Sequence, residues 1–200
     1  MLQRVLYTSL ILLSGAAPAF AHLDPSEHGS FAAGFSHPLF GTDHVMAMVA
    51  VGLWAALLAK SDRRALWLVP SAFVATMLVG FLAAMAGAPL PFVEPVILAS
   101  VVVIGLLAAV ALDVRTGMAM AMVGFFAFFH GHAHGGEIGE AVAYAYGAGF
   151  AIATALLHAA GLALGLGLGR AFGGNRGLLA TRVAAGAGAA LGGVWLAMAG

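Results

Sequence analysis

Three histidines at alternate positions, His130, His132 and His134, close an apolar run in FAFFHGHAHGG, residues 126–136. A second cluster, His37, Asp43 and His44 in HPLFGTDH, stands where another apolar run begins. Neutral imidazole is a good ligand for nickel, cobalt, copper or zinc, and a carboxylate beside it lowers the cost of holding a divalent cation. Spacing limits what each cluster can do. On a helix, His130 and His134 share a face one turn apart, the separation at which two histidines bind one metal. His132 points away unless the helix unwinds at Gly131, Gly135 and Gly136. Glu137 follows, either as a further carboxylate ligand or as the partner that fixes a histidine tautomer. In the first cluster His37 and His44 would lie about 10 Å apart on a straight helix, too far for one ion. Either residues 37–41 fold back as a loop or two sites exist. Pro38 favours a turn or a helix start after His37, and Thr42 suits a cap for a helix beginning at Asp43, with the folded-back loop as the preferred expectation.

The elements that carry these residues follow from composition. Of 200 residues, 62% are hydrophobic and 8% charged, with a mean hydropathy of +1.04, which predicts an all-α polytopic membrane protein in a lipid bilayer. Net charge is zero with histidine neutral, so nothing points to a nucleic-acid partner. Cysteine is absent. That excludes disulfides, thiolate metal sites and cysteine nucleophiles, and leaves His, Asp, Glu and Met as ligands.

At the N-terminus, Arg4, the apolar run 5–13 and Ala19-Phe20-Ala21 form the pattern of a cleaved secretory signal peptide over residues 1–21. The run is shorter than the ~20 residues a span needs. Cleavage after Ala21 would make His22 the mature N-terminus, where its amine and imidazole form a chelating pair. Residues 22–42 are then a periplasmic segment and residues 43–200 a domain of six transmembrane helices. The expected spans are 43–59, 65–87, 92–112, 117–130, 141–169 and 178–199.

Every basic residue after Arg4 falls in or beside alternate breaks: Lys60, Arg63 and Arg64, then Arg115, then Arg170 and Arg176, with Arg182 just beyond. The positive-inside rule puts these breaks in the cytoplasm of a cell whose inner membrane the chain spans, and the mature N-terminus in the periplasm. Seven of the eight histidines then lie at or outside the outer boundary. His158 is the exception, with two equal readings: an inner relay, or a histidine bonded to a neighbouring helix. Neutral ligands on one side and cations on the other suit a site that receives a cation from outside. Met46, Met48, Met118, Met120 and Met122 read as apolar filling rather than a thioether row for Cu(I). Gly161, Gly165 and Gly169, at four-residue spacing, read as close helix packing within a protomer or between protomers of a homo-oligomer.

At its two histidine motifs the sequence resembles the HupE/UreJ family of hydrogenase and urease accessory nickel permeases. The resemblance rests on HPLFGTDHVMAMVAVGLWA, residues 37–55, and FHGHAHGGE, residues 129–137, and extends over essentially the whole chain. The first motif is also similar to the HxxxxDH signature of the wider nickel/cobalt transporter group, but here five residues separate His37 from Asp43. The resemblance implies entry of nickel, or cobalt, across the cytoplasmic membrane to supply metalloenzymes, with His37, Asp43, His44, His130 and His134 at the matching functional positions.

The sequence thus predicts a permease and no enzyme, carrying Ni2+ or Co2+ as cargo with no prosthetic group. No GxxxxGK[ST] loop occurs in the chain and no ATPase subunit is implied. Ligation needs neutral imidazole, so uptake should fall below about pH 6, and a flat profile would count against histidine ligands. Two rivals remain: a metal-binding sensor or chaperone-like protein that never transports, and a histidine-rich di-iron oxygenase. The oxygenase would need more histidine pairs, facing the cytoplasm.

Overall fold

The structure, a computed structural model, describes residues 31–135 and 140–199. Long apolar runs leave the backbone no water to bond, so its polar groups must be satisfied within helices. Seven helices and no strand occur among the described residues. They are α1 (Phe31–Phe40), α2 (Thr42–Leu58), α3 (Ala65–Met85), α4 (Val93–Ala109), α5 (Thr116–Gly135), α6 (Glu140–Phe172) and α7 (Gly174–Ala199). A helix occupies each of the six expected spans. Of these, α3 and the stretch Ala143–Phe172 are by themselves long and apolar enough to cross a membrane. The pair α1 and α2 passes the same test together, bent by 79°. The fold is all-helical.

Residues 37–41 do not form the expected loop. His37 and Pro38 lie in the last turns of α1, and the chain folds back through a bend at Gly41, whose backbone is extended (φ −76, ψ 111). A proline that should start a turn is held inside a helix by tertiary packing. A methyl group added at Gly34 would overlap the backbone of Tyr146, and one at Gly149 the backbone of Phe31, so α1 and α6 lie backbone to backbone. That contact offsets the hydrogen bond Pro38 cannot donate. Thr42 is likewise no cap: Gly41 takes the N-cap position without a side-chain bond, and its carbonyl accepts from the Val45 amide at 2.9 Å.

Helix ends follow the breaks. After α3, Gly87 at φ 75 closes a Schellman turn, with Ala88 N–H donating to Ala83 O and Gly87 N–H to Ala84 O. The same turn after α4 is closed by Ala111 at φ 52, a conformation costly for a residue with a Cβ. Leu112 O there accepts from Trp54 Nε1 at 2.9 Å, which ties the turn to the fully buried indole of α2.

The basic breaks come together at one end of the bundle. Ser61 Oγ donates to Asp113 Oδ2 at 2.7 Å and Thr116 Oγ1 to Asp62 Oδ2 at 2.6 Å, joining the α2–α3 and α4–α5 turns. The Arg64 guanidinium, then the Thr116 hydroxyl, hold the Asp62 carboxyl well below the usual carboxylate range. Lys60, Arg63 and Arg170 line one 410 Å³ cavity, so the α6–α7 turn belongs to the same end. The histidine motifs occupy the opposite end.

Candidate metal centre

The bend at Gly41 brings the ends of the first motif together. Rings of His37 and His44 lie 5.5 Å apart between centroids, about half the separation a straight helix would give. From α5, His134 enters between them, 4.3 Å from the His37 ring and 5.0 Å from the His44 ring. One ligand nitrogen from each of His37, His44 and His134 falls within 4.8 Å of the others. His44 Nε2 and His134 Nε2 are 3.0 Å apart. Two nitrogens bound at about 2.1 Å in cis positions of an octahedral ion would be separated by roughly 3.0 Å, so this pair fits a shared cation with little movement.

Asp43 completes the outer group. Its Oδ2 lies 3.1 Å from His44 Nδ1. The contact lies outside hydrogen-bond geometry, so Asp43 acts on the ring by charge, and His44 Nδ1 is buried without a hydrogen-bond partner.

One helical turn below His134, His130 is fully buried, with its ring 4.9 Å from that of His44. The spacing argument pairs His130 with His134, but the ring of His44 faces both. Sequence spacing misses this because the third ring arrives from a helix 90 residues away. His130 has a partner that spacing did not identify: its Nε2 lies 2.9 Å from Ser100 Oγ, whose own proton goes to Ile97 O at 2.5 Å. Ser100 can therefore only accept from His130, which assigns the proton to Nε2. Nδ1 is left unprotonated and without a hydrogen-bond partner. A lone hydroxyl inside the apolar run of α4 was the available signal, since a buried serine must bond something.

His132 stays outside the group, as helical geometry requires while the helix is intact. Its Nε2 bonds Ala88 O at 2.7 Å across to the turn after α3. The helix does not unwind, because its glycines serve packing. A methyl at Gly131 would overlap the Met77 carbonyl, and one at Gly135 that of Phe81. Of the remaining sequence candidates, His22 and Glu137 lie outside the described residues, as does the expected signal peptide.

Phe150 of α6, also missed by spacing, walls the site with its ring 5.1 Å from His134, 5.8 Å from His44 and 6.2 Å from His37. Four imidazoles and a carboxylate thus gather beside Phe150 at one end of a helical bundle, with His130 and His44 buried and His37 exposed. This donor set suits nickel, cobalt, zinc or copper(II) and has no thiolate.

Comparison with known proteins gives a family. The HupE / UreJ protein model matches residues 10–196. The protein HupE of Rhizobium leguminosarum bv. viciae is 43% identical over 131 residues, which cover 66% of this chain and 66% of that protein. No solved structure matches. With both motifs inside the matched region and the helical bundle built around them, this membrane protein belongs to the HupE / UreJ family.

Proposed function

We propose that this chain is a permease carrying a divalent transition metal, nickel foremost and cobalt second, from periplasm to cytoplasm for the maturation of hydrogenase or urease. The observation that carries the reading is the convergence of His37, His44 and His134 within 4.8 Å, at the end of the bundle opposite the basic turns. The imidazoles meet the ion where it arrives, and the cations of the protein stay where they do not repel it. The proposal includes six spans after a cleaved signal, residence in the inner membrane, and entry by way of His22 and Glu137. His44, beside the Asp43 carboxylate, hands the ion from His37 and His134 to the Nδ1 lone pair of His130.

The test is uptake of radioactive nickel by cells producing the wild type or His134→Ala at matched membrane levels, with cobalt, zinc and copper as competitors. Wild-type uptake competed best by cobalt and reduced at least about tenfold in the variant is expected, since losing even a partner that only orients a metal ligand costs about that much. Nickel binding by the purified protein without any wild-type uptake would replace the permease by a sensor or chaperone-like protein.

A further inference from the structure

His158 is a fully buried imidazole, 1% exposed, and neither of its ring nitrogens has a hydrogen-bond partner. It therefore does not make the bond to a neighbouring helix that was one of its two readings. Burying a polar ring with nothing to bond is unfavourable, and folded proteins rarely leave such groups without a use. Its position is informative. His158 lies on α6 two turns inward of Phe150, about 12 Å further along the helix from the ring that walls the outer histidines. The Phe73 ring of α3 sits 5.8 Å from the His130 ring and 4.9 Å from the His158 ring. One turn outward of His158, Thr154 Oγ1 reaches the Met77 sulfur at 3.6 Å, and both residues are fully buried. From the outer group inward, the imidazole of His130, the Phe73 ring and the imidazole of His158 follow one another, with the Met77 thioether one turn outward of Phe73 on α3.

We propose that His158 is an inner relay ligand: a divalent metal ion leaving His130 passes the Phe73 ring and is next bound by a His158 ring nitrogen. This rests on the permease reading above. An aromatic ring tolerates a desolvated cation, and imidazole suits a borderline transition-metal ion rather than magnesium or calcium. The backbones of α2 and α6 touch at this level, since a methyl at Gly52 would overlap His158 O and one at Gly161 the carbonyl of Val49. Small residues there hold the two helices that carry His44 and His158 in fixed register.

A purely structural histidine and a relay respond oppositely to His158→Leu. An apolar side chain of similar volume removes the unbonded nitrogens, so the fold should keep or raise its thermal midpoint, while the inner ligand is lost. Wild type, His158→Leu and His158→Asn are reconstituted in liposomes for radioactive nickel uptake, and nickel binding by each purified protein is measured by equilibrium dialysis. Expected are nickel affinity within about twofold of wild type and uptake lowered about tenfold or more in both variants. Either variant, folded and transporting within about twofold of wild type, would overturn the relay. Uptake lost together with nickel binding would assign His158 a structural role and overturn it as well. Absence of wild-type uptake would remove the permease reading and the relay with it, whereas wild-type uptake with unaffected variants removes the relay alone.

Discussion

Asp43 contributes to the site through His44. Its carboxylate, 3.1 Å from His44 Nδ1, places a negative charge beside the ring whose Nε2 lies 3.0 Å from His134 Nε2. Asp43→Asn keeps the shape and removes the charge, so nickel affinity measured by isothermal titration should weaken about tenfold, the low end for loss of a residue that orients a metal ligand. Unchanged affinity would reduce Asp43 to a favourable charge in the first turn of α2. Residue types at the site were legible in the sequence, because five histidines and an aspartate in two motifs are hard to explain otherwise in a chain with so few polar residues. Their pairing was not. Periodicity reports which residues share a helix face, and so joined His130 to His134. It carries no information about the ring of His44 facing both, or about the Ser100 hydroxyl that sets the proton of His130.

Helix–helix contact decides whether the ligands can meet. Helices α3 and α5 touch backbone to backbone because Gly80 of α3 faces Phe128 and Gly131 of α5 faces Met77. Gly131→Ala inserts a methyl where the Met77 carbonyl stands. The expected cost is about 1–3 kcal/mol of overpacking, read as a lowered thermal midpoint of the purified protein. Because α5 carries His130 and His134, its outward displacement should also weaken nickel binding. A destabilised variant with wild-type affinity would mean that the site adjusts independently of this helix pair. Positions of the helices were legible, since apolar runs end at Lys60, at Ala88 and at Asp113 much as the structure has them. The helix α1 was not, because its Pro38 argues locally for a turn and only packing against α6 overrides it. The glycines near His130 were ambiguous for a similar reason: one residue type serves unwinding and close approach alike, and only the neighbouring backbone tells them apart.

Across the whole molecule the charges are sorted by end: imidazoles gather at one, and the turns bearing Lys60, Arg63, Arg64, Arg115 and Arg170 meet at the other. For the proposed permease, whose sequence holds no GxxxxGK[ST] loop, the membrane potential is a candidate driving force beside a partner protein. A divalent ion moving inward gains about 4.6 kcal/mol per 100 mV, twice the value for a unit charge, which sustains accumulation of roughly a thousandfold or more. The absence of native cysteine makes the prediction measurable. A single exposed thiol from Ala88→Cys, at the histidine end, reports through an impermeant label which fraction of the reconstituted protein faces outward. In liposomes so calibrated, with a potassium diffusion potential set by valinomycin, the final inside-to-outside nickel ratio should rise about tenfold for each 30 mV made more negative inside. A ratio that ignores the potential would mean electroneutral exchange, most simply two protons leaving for each ion entering. The imidazole column would then have to carry protons outward between metal passages, and an imposed pH gradient should drive nickel in its place.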